Sequence, residues 1–202
     1  MIRVHIEGGG DGEDTKRFLR EGFHGFFSSV IEQGRSLRVE WKIVVCGGRQ
    51  ATYNTFTNAL EQHSDAFNIL LVDSEDPVSG APWAHLCARD GWDQGTARDD
   101  QAHLMIQVME TWLICDPGTL QRYYGQGFHL NSLPKTKPIE NAAKNAILAG
   151  LRAATKKTSK GEYGKIRHAA AILPQLDVAR VRSEAPSCDR LFLTLERLVQ
   201  PA

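Results

Sequence analysis

Three carboxylates follow one apolar run of the chain almost without a gap. Residues 69–72 read Ile-Leu-Leu-Val, and Asp73, Glu75 and Asp76 come directly after them. A short apolar run that ends in a turn is typical of a strand buried on both faces, as in a parallel sheet. Carboxylates so close together repel one another unless a positive charge lies between them. The group therefore predicts a site for a hard divalent cation, which prefers oxygen ligands.

A second acidic group follows the first strand of the chain. That strand alternates apolar and polar side chains and ends at Glu7, and three glycines and Asp11 come next. Open α/β sheets bind their ligands at the carboxyl ends of the strands. We therefore expect Glu7, Asp73 and Glu75 to meet there as metal ligands and catalytic residues, with Asp11 and Asp76 as supporting ligands. Mg²⁺ is the expected ion, with Mn²⁺ as the alternative.

The glycine turn has two other interpretations. A dinucleotide-binding turn follows the pattern G-x-G-x-x-G, but residue 13 is Glu, so the third glycine is missing. Glu7 and Asp11 would also repel a pyrophosphate unless a cation intervened. A purely structural turn with a surface acid stays open as well. Residues 73–76 likewise fit a solvated acidic turn.

The elements that must position these side chains alternate along the chain. Apolar patterns predict strands over 2–7, 37–45, 69–72 and 103–108, with helices over 14–33 and 51–62 between the first three strands. Such alternation favours right-handed crossovers and a mainly parallel sheet. In the first helix, Gly22 and Gly25 each cost about 1 kcal/mol relative to Ala. A loop as long as residues 73–101 is usually functional or mobile.

Charge divides the chain into two parts. Net charge is zero overall, but residues 1–130 hold 11 basic and 18 acidic side chains, and residues 131–202 hold 13 and 6. A connector rich in glycine and proline lies near the division, over residues 125–138. We predict an α/β domain over 1–130 and a basic helical lobe over 131–202 that packs on it. An acidic front and a basic back suggest a metal in one place and phosphate in the other, although solvated helix faces would give the same counts.

A basic stretch in the second part is the predicted nucleic-acid contact. Dense basic side chains with Ser, Thr and Tyr on a glycine-rich loop suit a phosphate backbone. Tyr163 is expected to stack on a base, and Arg167 or His168 to stabilise charge on a scissile phosphate. A flexible solvated loop is the alternative. The predicted contact residues are Lys156, Lys157, Lys160, Lys165, Arg167 and His168.

Three residues after the fourth predicted strand have separate interpretations. Glu110 follows that strand at the same edge, where it would serve as a further metal ligand or hold a basic residue in place. Trp112 is expected in the core rather than as a platform for a base. Asp116 precedes Pro117, a pair typical of a helix N-cap and first turn.

The spacing of the cysteines and the length of the apolar runs argue against zinc-ribbon and membrane proteins. The four cysteines form no C-x-x-C pair, so a zinc ribbon is not expected, and buried reduced thiols are the default. The chain begins directly with a strand pattern, without a charged and apolar leader, and has no apolar run of membrane-spanning length. We therefore expect a cytoplasmic protein with no membrane partner.

Four stretches together resemble a bacterial family that is numbered 4276 among the domains of unknown function. They are residues 6–11, 70–76, 107–116 and 164–168, the last followed by an Asp-x-x-Arg-Val helix. The family is similar to Toprim domains, in which a Glu after the first strand and a later D-x-D hold Mg²⁺ and act on phosphodiesters. The resemblance implies a Toprim-like fold. It also implies that Glu7 corresponds to the Glu after the first strand, and Asp73 and Glu75 to the two acids of the D-x-D. Glu75 departs from the stricter pattern, which has Asp.

These observations lead to one expected function and two alternatives. The first is a Mg²⁺-dependent nuclease, a hydrolase of nucleic-acid phosphodiester bonds, and analogy with stand-alone Toprim proteins implies a role in phage defence. The second is a non-catalytic metal- or nucleotide-binding module that works with a partner protein. The third is an enzyme that transfers or hydrolyses phosphate groups of small molecules.

Overall fold

A four-stranded parallel sheet forms the centre of the protein, in a computed structural model that describes residues 1–200. The strands are β1 (Ile2–Glu7), β2 (Trp41–Gly47), β3 (Phe67–Asp73) and β4 (Ala102–Met105). Their order in the sheet is β2-β1-β3-β4, and every neighbouring pair is parallel. The predicted α/β class with a mainly parallel sheet is therefore confirmed, and β1 and β3 lie side by side.

Helices cover both faces of the sheet and make up most of the chain after β4. The α-helices of residues 1–200 are α1 (Glu13–Phe26), α2 (Ser28–Ser36), α3 (Arg49–Gln62), α4 (Pro82–Asp90), α5 (Glu110–Cys115), α6 (Pro117–Tyr124), α7 (Lys144–Thr155), α8 (Lys165–Ile172), α9 (Val178–Glu184) and α10 (Pro186–Leu198). The single helix predicted over 14–33 is wrong in one detail, because the backbone of Phe27 leaves helical geometry and divides it in two. Within the described residues, no helix is long and apolar enough to cross a membrane.

β3 is buried on both faces, as its continuous apolar run predicts. Ile69 and Leu71 join the larger apolar cluster, and Leu70 and Val72 join a smaller one on the other side of the sheet. All four side chains are 0% exposed. A strand buried in this way has a rigid carboxyl end, so the turn that carries the carboxylates is held in place.

Two glycines let helix α1 approach the carboxyl-terminal helices. A Cβ atom at Gly22 would lie 2.7 Å from the backbone oxygen of Ala170, and one at Gly25 would overlap Pro174. The glycines that weaken the helix by propensity are therefore needed for close packing. This contact docks α8 on α1, and Lys165 at the start of α8 is thereby placed at the edge of the sheet.

The helices after residue 130 share one apolar cluster with the sheet. Ile147, Ile172 and Phe192 belong to the same cluster as Val4 of β1. The boundary near residue 130 stays a prediction. Two smaller expectations are confirmed, because Trp112 is fully buried and the Asp116 side chain accepts a hydrogen bond from the backbone N–H of Thr119 at the start of α6.

Candidate metal centre

Three carboxylates meet above the carboxyl ends of β1 and β3. Glu7 ends β1, Asp73 ends β3, and Glu75 lies two residues further on. One oxygen from each lies within 4.8 Å of the oxygens of the other two. Glu7 leans over the neighbouring strand, where its Oε2 accepts a hydrogen bond of 3.2 Å from the Asp73 backbone N–H. The expected meeting of these distant side chains is confirmed; their role as metal ligands stays a prediction.

Glu75 reaches the cluster from a left-handed turn. Its φ is +67°, in a region that residues other than glycine seldom adopt. Its backbone N–H donates to Gln107 O at 2.8 Å, and that of Ser74 donates to Met105 O at 3.0 Å. Pairing with the segment after β4 therefore holds the turn. The strained backbone is compensated by these bonds.

A cation accompanies each of the three carboxylates. Nη1 of Arg49 lies 3.2 Å from Glu7 Oε2, and Nζ of Lys165 lies 3.0 Å from Asp73 Oδ2. Lys144 forms an ion pair with Glu75. None of these pairings is visible as a sequence motif, because the partners come from α3, α8 and α7, far from their carboxylates in the chain.

Arg49 also ties the cluster to helix α4. Its Nε and Nη2 atoms donate to the two carboxylate oxygens of Asp90 at 2.9 and 2.6 Å, and Nη1 donates to the backbone oxygen of Asp73. Such two-pronged pairs are strong and directional. Arg49 follows Gly48 at the end of β2, so a residue beyond the second strand could have been suspected by its position at the same edge of the sheet.

Two of the three cations are shared with acids outside the cluster. Arg49 pairs with Asp90 as well as with Glu7, and Lys165 lies near Glu110 as well as Asp73. Their positive charge is therefore divided between the cluster and its neighbours. A bound divalent cation would add to the positive charge that the cluster receives.

Burial and the neighbouring charges shift the pKa values of the side chains in the cluster. Burial and the nearby Asp73 carboxylate raise the pKa of Glu7 to about 7, although Arg49 opposes the change. Burial alone would lower the pKa of the Lys165 ammonium, but the carboxylates of Asp73 and Glu110 outweigh it and hold that pKa above its usual range. Ionisation of Glu7 in the folded protein therefore costs free energy, and a bound cation would reduce that cost.

Glu110 lies beneath the cluster and is fully buried. Its Oε1 accepts a hydrogen bond of 2.9 Å from the Tyr163 hydroxyl, and its Oε2 has no hydrogen-bond donor but lies 3.7 Å from Lys165 Nζ. Burial raises its pKa. Of the two roles considered for Glu110, the structure places it as the residue that holds a basic side chain.

A small cavity opens beside the carboxylates. It has a volume of 180 Å³, and Glu7, Asp73 and Lys165 are among the residues that line it. Leu19 and Met109 add apolar side chains to the lining. The three glycines after β1, which all have positive φ, line it as well and contribute backbone only. The carboxylates are therefore reachable from this side.

The two supporting acids lie outside the cluster. Asp11 is exposed at the glycine turn. It does not belong to the set of three carboxylates that lie close enough together to hold one ion. The side chain of Asp76 is 64% exposed and forms an ion pair of 3.0 Å with Arg89. Neither residue has the position expected of a direct ligand.

The basic stretch is only partly available to a nucleic acid. His168 is 2% exposed, and its Nδ1 is hydrogen-bonded to the Tyr124 hydroxyl at 2.9 Å, so the expected contact with a phosphate is wrong. Tyr163 is buried against Glu110, and the expected base stacking is therefore wrong as well. Lys165 turns toward Asp73. Besides Lys165, which is half exposed, the exposed side chains of the predicted contact are those of Lys156, Lys157, Lys160 and Arg167.

Comparisons with known proteins identify a family. The model of a family described as a domain of unknown function, DUF4276, matches residues 6–196. Neither the curated proteins nor the solved structures contain a match. Since the match covers most of the sequence and includes every residue of the carboxylate cluster, the chain belongs to the family DUF4276.

Proposed function

We propose that the protein is a divalent-cation-dependent enzyme that cleaves phosphodiester bonds of nucleic acid. One observation carries the proposal: oxygens of Glu7, Asp73 and Glu75 lie within 4.8 Å of one another. The sharing of Arg49 and Lys165 with the further acids Asp90 and Glu110 adds to it. Carboxylate oxygens so arranged suit Mg²⁺ or Mn²⁺.

The chain's own residues have distinct roles in this proposal. Glu7, Asp73 and Glu75 hold the ion, and Arg49 keeps Glu7 in place through its pair with Asp90. When bound, such an ion polarises a phosphoryl oxygen and makes an attacking water more acidic. The similarity of the family to Toprim domains supports this division of roles.

The basic side chains supply the contact with the polyanion. Exposed Lys156, Lys157 and Lys160 precede helix α8, and Lys165 at its first position reaches the cluster. Exposed lysines on the segment that leads into Lys165 are suited to bind the phosphates of a strand whose reacting bond lies at the cluster. The affinity for long strands should then fall steeply as salt is added.

Cleavage assays test the proposal directly. The chain is incubated with single- and double-stranded DNA and RNA, with Mg²⁺, with Mn²⁺ or with EDTA. We expect cleavage that requires the metal and falls by at least about 100-fold in Glu7→Gln and in Asp73→Asn. The matched controls are Asp11→Asn and Asp76→Asn, which remove an acid from the same two turns but outside the cluster, and these should keep activity within about twofold.

A non-catalytic binding module is the second candidate, and a specific observation favours it. Each carboxylate of the cluster already has a cationic partner, so the residues can be held together without catalysis. Absence of cleavage in every condition, with calorimetric Mg²⁺ binding that Glu7→Gln abolishes, would favour this candidate. Absence of both cleavage and metal binding would contradict the metal site altogether.

A further inference from the structure

The outer edge of strand β2 is open. β2 pairs with β1 on one side, and the described residues contain no strand on the other side. The backbone N–H of Ile2 donates to Glu40 O at 2.8 Å, so the peptide groups of Glu40, and by alternation those of Lys42, face β1. The peptide groups of Trp41 and Ile43 therefore face outward. Within residues 1–200 no hydrogen bond to them is found beyond the sheet.

A groove runs along this open edge. It has a volume of 990 Å³ and lies between the strand and helices α1 and α2. Ile31, Val39, Trp41 and Ile43 form its apolar part. An unpaired strand edge beside an apolar groove is the surface that binds an extended peptide as an additional strand.

The rim of the groove is basic and its charges are unpaired. Arg20, Arg35, Arg38 and Lys42 line it, with Glu40 as the one acid among the lining residues. Within the described part of the chain, no carboxylate lies within ion-pair distance of these four cations. Most other arginines of the protein have such a partner. Four unneutralised cations around one groove indicate an acidic ligand.

The positive charge of the rim also helps to distinguish between three possible ligands of the groove: a second copy of the chain, a nucleic acid and a peptide. A second copy of the chain would bring the same four cations against themselves, and like charges placed together oppose association. A nucleic acid would match the charge, but it cannot pair with the outward N–H and C=O groups of Trp41 and Ile43 or fill the apolar floor. An extended peptide with acidic side chains can neutralise the cations, pair with the outward peptide groups of β2 and cover the apolar part of the groove.

The groove shares no lining residue with the cavity beside the carboxylate cluster. It follows β2 from Trp41 to Val44, which are in register with Ile2 and His5, whereas Glu7 is at the end of β1. Along the strand, the groove therefore begins about 16 Å before Glu7 and ends about 7 Å before it. We propose that this groove binds an extended acidic peptide segment of a partner protein by strand addition to β2, independently of the metal site.

Three defined peptides test the proposal. The probe is a fluorescein-labelled octapeptide of four Glu-Val repeats, and its binding is followed by fluorescence anisotropy at low salt. One control peptide carries Lys in place of Glu, and another carries Pro in place of Val, which removes the backbone donors that a strand ladder needs. We expect the Glu-Val peptide to bind at least about tenfold more tightly than either control.

Variants of the chain locate the binding. The double variant Arg35→Glu/Arg38→Glu should weaken binding of the Glu-Val peptide by at least about tenfold. The matched control Lys156→Glu/Lys157→Glu reverses two exposed cations elsewhere and should leave it unchanged. Hydrogen exchange gives a second measurement, since the peptide should slow exchange of the outward Ile43 amide. An additional strand protects this amide, whereas a loosely held polyanion does not.

Four outcomes would overturn the proposal. These are no binding of the Glu-Val peptide at millimolar concentration, equal binding of the Lys-Val peptide, and unchanged exchange at Ile43 when the peptide is bound. The fourth is occupation of the groove by another ligand. A decathymidylate that displaces the peptide, or a dimer in sedimentation that Arg35→Glu/Arg38→Glu dissociates, would assign the groove to nucleic acid or to a second copy instead.

Discussion

The Lys165 ammonium lies 3.0 Å from the Asp73 carboxylate, although 92 residues separate the two in the chain. The Asp73 side chain is 4% exposed, and the same ammonium lies 3.7 Å from the buried Glu110 oxygen Oε2. Lys165 thus neutralises two carboxylates that the fold keeps away from water. Several consequences of this arrangement can be measured.

Removing the Lys165 charge should destabilise the protein and make its stability depend on metal. Breaking a buried ion pair costs 3–5 kcal/mol, but Lys165 is half exposed, so we expect Lys165→Met to lower the free energy of unfolding by about 2 kcal/mol. Mg²⁺ should restore part of this loss, because it supplies the missing positive charge. Urea unfolding at pH 7 with Mg²⁺ or EDTA measures both effects. Lys156→Met, which removes an exposed lysine, should change neither, and a similar loss there would contradict the role given to Lys165.

Ionisation of Glu7 should lower the free energy of unfolding at high pH when no metal is present. Its pKa is raised from 4.5 to about 7 in the folded protein, so the folded state binds more protons than the unfolded state between these values. Its contribution is therefore fully present below pH 4.5 and is lost as the pH rises through 7. Gln cannot ionise, so Glu7→Gln should be more stable than the parent by about 1–3 kcal/mol at pH 8 in EDTA and equal to it near pH 4.

Mg²⁺ should reverse this order. A ligand that binds only the folded state stabilises it, so Mg²⁺ should raise the unfolding free energy of the parent protein but not of Glu7→Gln. Thermal or urea unfolding at the two pH values measures the difference, and Glu13→Gln, at an exposed acid of α1, serves as the control. If Mg²⁺ stabilised Glu7→Gln as much as it stabilises the parent protein, Glu7 would be excluded as a ligand.

Three buried histidines should make the protein sensitive to acid. Burial lowers the pKa of His5 to about 4, burial with the nearby Arg190 lowers that of His103 to about 3, and burial also lowers that of His168. The unfolded chain, with histidine pKa values near 6.5, binds more protons below that pH, so stability falls as the pH drops from about 6.5. The loss should be about 2 kcal/mol for each of His5 and His103 between pH 6.5 and 5.

Urea unfolding across this pH range measures the loss. His103→Gln should make the dependence less steep, because one of the three buried histidines is absent. His24→Gln, at an exposed position of α1, should leave the slope unchanged. An identical slope in His103→Gln and the parent would contradict the assignment.

Gly22 should resist replacement by a better helix former. Ala is favoured over Gly by about 1 kcal/mol within a helix, but a Cβ at Gly22 would lie 2.7 Å from Ala170 O. Gly22→Ala should therefore lower the unfolding free energy by about 1–3 kcal/mol, since α1 and α8 must move apart. Gly118→Ala in α6, where the nearest atom would be 3.4 Å away, is the control and should be neutral or stabilising. Calorimetric melting temperatures of the two variants provide the comparison.

Movement of α8 should also displace Lys165 from Asp73. Gly22→Ala is therefore expected to change the Mg²⁺ dependence of stability in the same direction as Lys165→Met. An unchanged dependence would separate helix packing from the carboxylate cluster.

The amino-acid sequence by itself determined the class of fold and the edge of the sheet where the acids gather. Apolar runs that alternate with helical patterns define parallel strands, and the acids that follow β1 and β3 must then emerge at one edge. The burial of β3 on both faces follows from the unbroken run Ile69–Val72. These conclusions rest on local patterns, which a sequence contains directly.

Only the tertiary structure decided which cations neutralise those acids. Arg49, Lys144 and Lys165 pair with carboxylates that are 42, 69 and 92 residues away, and no periodic spacing records such distances. The turn at Glu75 likewise depends on pairing with Gln107. Tyr163 and His168 belong to a basic, glycine-rich stretch that resembles a solvated loop, yet helix packing buries both. Burial and long-range ion pairs depend on how the elements dock, and docking is decided by the sum of many contacts rather than by any one segment.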